Sequence, residues 1–103
     1  MKDKQLFFTQ HQLKSMAKRG MSKAIIQDVV SNGEWSKGNK PYSYEVEYKG
    51  IIVVLYEQKN QYNVCTCKLN REFTCKAERL QEELGIDFWK AVHKIVKEIY
   101  RNS

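Results

Sequence analysis

Proline is almost missing from this chain of 103 residues, Pro41 being the only one, and glycine occurs only five times. There is no internal repeat and no low-complexity tract, so repeat and linker-like architectures are excluded. Long apolar runs are also lacking. The longest, Ile51 to Tyr56, has the length of a buried strand and falls far short of the ~20 residues needed to cross a bilayer. The opening MKDKQLFFTQHQ carries charge but lacks an apolar central region and a small-residue cleavage site. No signal peptide is therefore expected, and the expected location is cytoplasmic, or that of a passenger of another delivery system. Cysteine is scarce and odd in number: Cys65, Cys67 and Cys75. Without a secretory signal, reduced thiols are expected rather than a disulfide framework. The Cys65-Thr66-Cys67 spacing does not suit a zinc knuckle, and both histidines are distant in sequence, so no metal is expected and the cysteines read as small buried apolar residues. A nucleotide-binding glycine loop, a Ser-His-Asp order and a paired-carboxylate motif are absent, which leaves the common enzyme classes unsupported and no cofactor expected.

What is present is enough for one folded domain, residues 1–103. Apolar residues make up 42% of the chain and twelve are aromatic, so a packed core is expected and global disorder is excluded. Lys and Arg exceed Asp and Glu to give a net charge of +6, a field that attracts phosphate polyanions without requiring them.

The pattern of elements predicts an α+β domain. Thr9 and Gln12 fit a capping box, Leu13, Met16 and Ala17 form an apolar stripe, and Gly20 stops the first helix. Ser22 caps a second helix, whose Ile25, Ile26, Val29 and Val30 face inward and which ends at Gly33. Together they predict an N-terminal helical hairpin. The period then changes to two. Tyr42 to Tyr48 alternate apolar with polar, Lys49-Gly50 turn the chain, Ile51 to Tyr56 read as a central strand, and Tyr62 to Leu69 make a third. An antiparallel meander of three or more strands is expected. Lys76 to Leu84 read as a short helix stopped by Gly85, and Asp87 opens a last one. In that last helix Phe88, Val92, Ile95 and Ile99 form a stripe that Trp89, Val96 and Tyr100 widen. Such a width either packs between sheet and N-terminal helices or reaches a partner subunit, so a homodimer through the C-terminal helix is one expectation. Lys90, Lys94, Lys97 and Arg101 fall on the opposite side, and His93, between Trp89 and Val96, reads as a core or semi-buried histidine.

The run from His11 through Arg19-Gly20-Met21-Ser22, an apolar second helix and the exit Asn32-Gly33-Glu34 resembles the family called domain of unknown function 4258. The likeness covers residues 7–70 and leaves a C-terminal helical extension, 72–102. That family is regarded as similar to the RelE- and BrnT-like toxins, small basic α+β ribonucleases that act without a metal. The resemblance therefore implies an RNA-interacting domain, with a metal-independent ribonuclease toxin or a degenerate relative as the activity, and a cognate antitoxin or other protein as a partner. It departs at Ser15, where the family carries an arginine four residues after the histidine; Lys14 stands beside it, a point charge that does not grip phosphate bidentately.

His11, Lys14, Ser15 and Lys18 share one helical face with Arg19 at its edge. Metal-free RNA cleavage needs a base, an acid and cations for the phosphate. Histidine suits the first two roles, here as catalytic His11, and Lys14, Lys18 and Arg19 suit the third. Tyr42 and Tyr44 offer stacking surfaces to bases. Glu45 and Glu47 on the same strand would repel phosphate from their face. Three readings of the His11 face stand side by side: a hydrated helix surface, a phosphate contact and a catalytic centre. A non-enzymatic module engaging a protein partner is the competing function.

Overall fold

The computed structural model describes residues 5–101, so both ends of the 1–103 domain and the last residue of the 72–102 extension lie outside the described residues. The architecture is α+β. Strand β1 (Gln5–Phe7) leads into helices α1 (Gln10–Lys18) and α2 (Lys23–Asn32), then strands β2 (Glu34–Lys37), β3 (Ser43–Tyr48), β4 (Ile51–Glu57) and β5 (Gln61–Leu69), and finally helices α3 (Arg71–Leu84) and α4 (Phe88–Arg101).

The strands form one five-stranded sheet in the order β1-β5-β4-β3-β2. Pairs from β2 to β5 are antiparallel, but β1 joins β5 in parallel through Leu6 opposite Tyr62. The sheet is thus mixed, which corrects the expectation of a purely antiparallel meander. Two short strands, β1 and β2, extend it at its edges. The β3–β4 turn matches its sequence signal: Lys49 and Gly50 both have positive φ (53° and 84°), as a two-residue hairpin of the twist-compatible type requires. A side chain at Gly50 would also meet Phe73 of α3 at 2.2 Å, so α3 closes over this turn.

Pleat and register sort the sheet into two faces. Tyr44, Val46 and Tyr48 share a face with Ile51, Val53 and Leu55, and β5 adds Tyr62, Val64, Cys67 and Leu69. Strict alternation along β5 would turn Thr66 and Lys68 inward. An irregularity opposite Val54 and Leu55 prevents this: Thr66 pairs with Val54 and Val64 with Leu55, leaving Cys65 as the extra residue. The phase resets, and Cys67 and Leu69 rejoin the core.

All four helices add side chains to this core, among them Met16, Ile26, Val29, Ala77, Val92 and Val96. Glu45, Glu47, Ile52, Val54, Tyr56 and Lys68 occupy the other face, exposed or half-buried. α1 rests on β5 and α4, and α2 on β3 and β4, so the two N-terminal helices lean on the sheet and on α4 rather than chiefly on each other. The stripe of α4 faces inward, with Ala91, Val92, Ile95 and Val96 buried and Phe88, Trp89, Ile99 and Tyr100 packed against the core. Its width is explained within the chain. α3 begins five residues before the expected Lys76, because Asn70 caps it by accepting the Phe73 N–H (3.0 Å).

Candidate nucleic-acid interface

α1 is fixed at both ends and along one side. Thr9 Oγ1 accepts the Gln12 N–H at 3.0 Å. At the other end Gly20 N–H donates to Ala17 O and Met21 N–H to Met16 O, with Gly20 at φ +71°. Buried Met16 and Met21 complete this stop. The expected capping box is only half formed, since the Gln12 side chain does not turn back to Thr9. Instead Gln12 is buried and its Nε2 donates to the Cys65 carbonyl at 2.7 Å. One helical face further on, Arg19 Nη1 donates to the Cys67 carbonyl and, at 3.4 Å, to Thr66 Oγ1.

These bonds follow from sheet topology. β1 covers β5 only from Gln61 to Asn63, so beyond that point the outer edge of β5 has no strand partner. Side chains from α1 serve as the missing donors. The Oε1 of Gln12 is buried without a partner among the described residues. Such a group costs about 1–3 kcal/mol.

This anchoring divides the expected site residues into two groups. His11, Lys14 and Lys18 lie on the side opposite Gln12 and Met16, all exposed. Arg19 is drawn away from them. Its guanidinium is half-buried, bonded to β5, and stacked over the Trp89 ring at 4.5 Å. It acts as a clamp between α1, β5 and α4 and is not part of the outward cationic face. Ser15 is half-buried. His11 has no hydrogen-bond or ion-pair partner among the described residues, so none of them is an acid or base bonded to its ring.

The two tyrosines also part. Tyr42, 67% exposed and at φ 64°, sits at the start of β3 beside a shallow hollow with Tyr56 and Lys59. Tyr44 turns to the core face, edge-on to Trp35 (5.7 Å) and Tyr62 (6.3 Å), with its hydroxyl 3.1 Å from Glu57 Oε1. They do not form a joint stacking platform.

The row Lys90, Lys94, Lys97 and Arg101, expected on the outer side of α4, is exposed. Lys94, Lys97 and Arg101 of α4 join Lys76 of α3 around a groove of about 460 Å³ with Leu80 and Ile95 in its lining. His93 corrects another expectation. It is exposed rather than in the core, and its ring lies where a side chain on Gly20 would need to go, 2.6 Å from the position of such a Cβ. The α1–α2 junction and α4 thus meet at Gly20 and His93.

The cysteines divide as well. Only Cys67 is buried; Cys65 and Cys75 are exposed, against the expectation of three buried thiols. Burial pushes the Cys67 thiol up, opposed by the Arg19 guanidinium beside it, and burial likewise raises Cys65, opposed by Lys40. Both shifts keep these thiols protonated and poorly nucleophilic near neutrality. Among the described residues no three His, Cys, Asp or Glu side chains stand together as metal ligands, and no helix is long and apolar enough to cross a membrane. What the arrangement offers is a set of exposed point charges on a rigidly anchored helix. This suits phosphate contact better than bond cleavage. Compared with known proteins, this chain matches no family model, no curated protein and no solved structure.

Proposed function

We propose that this chain is a small basic RNA-interacting domain of the RelE/BrnT-like kind that binds the phosphate backbone without an assembled ribonuclease centre. The resemblance to the domain of unknown function 4258 family motivates RNA as the partner. The observation that carries the reading is the exposed His11–Lys14–Lys18 face, held outward because Gln12, Met16 and Arg19 tie the other side of α1 to β5 and α4. Anchoring lowers the ordering cost of a cationic face, and lysines neutralise phosphates without reading sequence. The withdrawal of Arg19 and the isolation of His11 favour binding over catalysis.

Fluorescence anisotropy with a labelled single-stranded RNA across a salt series tests this. The double variant Lys14→Ala/Lys18→Ala should bind more weakly and shallow the log–log salt slope by about 0.7 per lost phosphate contact. The RNA should remain intact in the presence of a chelator. Cleavage by the wild type that disappears in His11→Ala would restore the ribonuclease reading and overturn this one.

A second reading, a non-enzymatic module that pairs with a protein or with its own copy, has separate support. The sheet face away from the helices carries half-buried Ile52 and Val54 beside Tyr56, 38% exposed. Light scattering over a concentration series should then show a mass that doubles and that Val54→Lys returns to the monomer. A constant monomer mass removes the self-pairing form.

A further inference from the structure

Where α1 ends, β5 finishes and α4 begins, the chain encloses a cavity of about 240 Å³. Leu69, Phe88, Trp89 and Val92 give it apolar walls, and Arg19 brings a cation to a lining that holds no acidic residue. Phe88 and Trp89 meet edge to face, 5.0 Å apart at 70°, so the walls form an aromatic corner rather than a flat patch. The volume lies below the roughly 300–1,000 Å³ of sites that enclose a whole small molecule. A single planar ring fits that scale better than a complete nucleotide.

We propose that this cavity takes one unpaired base of a single-stranded RNA, with the adjoining phosphate on Arg19. The proposal rests on the RNA-interacting reading above and names the form of RNA. Three observations converge. The lining pairs a stacking surface with positive charge, which matches a heteroaromatic ring joined to an anion. Arg19 is already held against Trp89 and β5, so its charge is in place before binding. Arg19 also caps α1 directly after Lys18, so the cavity lies beside the C-terminal end of that helix, on the flank next to its basic face. On this proposal a strand on the basic face turns at the end of α1 to bring one base to the cavity. A base in a duplex, with both faces stacked, has no ring free to enter.

The full chain is titrated with a labelled single-stranded RNA, with the matching ribose-phosphate strand lacking bases, and with a duplex of the same sequence, all at one ionic strength. Anisotropy and tryptophan emission are read together. Base-bearing single strands should bind about tenfold more tightly than the abasic strand, and they alone should quench emission. The quench should vanish in Trp89→Phe, and Phe88→Ala should lower the preference for bases while binding to the abasic strand stays constant. Should Phe88→Ala fail to fold, the three wild-type titrations and Trp89→Phe still decide. Equal affinity for base-bearing and abasic strands, or a quench that persists in Trp89→Phe, overturns the cavity while backbone binding stands. No binding to any of the three overturns both.

Discussion

Single residues set the local geometry, and two glycines separate conformation from space. Gly20 and Gly85 both adopt left-handed backbone, at φ +71° and +62°. A Cβ at Gly85 would meet nothing within 4 Å, but one at Gly20 would lie 2.6 Å from the His93 ring and 3.1 Å from His93 Cα. Gly85→Ala should therefore cost only the left-handed penalty, about 1–2 kcal/mol. Gly20→Ala should cost more, because α1 and α4 must separate as well, and paired urea unfolding curves would show the difference. Tyr100 is a second informative residue. It lies at the end of α4 with its hydroxyl donating to Asp28 Oδ2 at 3.0 Å. Burial, then the bond and the charge of Asp28, raise its pKa well above the ordinary value of 10. The folded state keeps the proton where the unfolded chain has lost it. The contribution is thus complete below about pH 10 and is lost as pH rises from there toward the folded pKa. Tyr100→Phe should be less stable at neutral pH and lose less stability between pH 9 and 11 than the wild type (both set from the ordinary tyrosine value of roughly 10), which alkaline melting curves would measure.

At the scale of elements, the division of labour on α1 gives a sharp contrast between neighbours. Arg19 bonds the β5 carbonyl and covers Trp89, and Lys18 faces solvent. Arg19→Ala should destabilise by about 1.5–3 kcal/mol, the range for a hydrogen bond to a charged group. Lys18→Ala should stay within about 0.5 kcal/mol. Hydrogen exchange would locate the Arg19→Ala loss in α1 and the far end of β5, with β3 and β4 protected. This division was only half legible in the sequence. The helix stops and starts at Thr9, Gly20, Ser22 and Gly33, and the three strands around Lys49-Gly50, follow local rules of capping, φ and period, and they are where those rules place them. β1 and β2 are three and four residues long, too short for any period to register, and they exist because sheet neighbours supply their partners. The bulge at Cys65 lies in the β4–β5 pairing, and Gln12 and Arg19 reach β5 across about fifty residues of sequence, so neither follows from local rules. Spacing along α1 ranked Arg19 with Lys14 and Lys18. Only the position of Trp89, 70 residues later in the chain, separates them.

At the scale of the molecule, the net charge of +6 is not spread evenly. The exposed Lys14, Lys18, Lys94, Lys97 and Arg101 belong to α1 and α4, while exposed Glu72, Glu78, Glu82 and Glu83 belong to α3. Glu45 and Glu47 share with Lys68 the sheet face turned away from the core. Glu34 and Glu47 stand directly opposite each other in the β2–β3 ladder, a like-charge pair that works against the sheet. Phosphate should therefore approach from the side of α1 and α4. Glu34→Gln separates the two roles of charge. Relief of the cross-strand repulsion should stabilise the fold by about 0.2–1 kcal/mol, read as a raised melting temperature that salt diminishes. Its effect on RNA should be slight. β2 lies three strands from β5, on which α1 rests, or about 14 Å at the usual strand spacing. That exceeds the screening length of about 10 Å at 0.1 M salt. Affinity for single-stranded RNA should then rise less than about twofold at that salt concentration, with the salt slope unchanged because no phosphate contact is gained. A steeper slope in Glu34→Gln would mean that the strand runs across β2, and the side assigned to phosphate would have to be reversed.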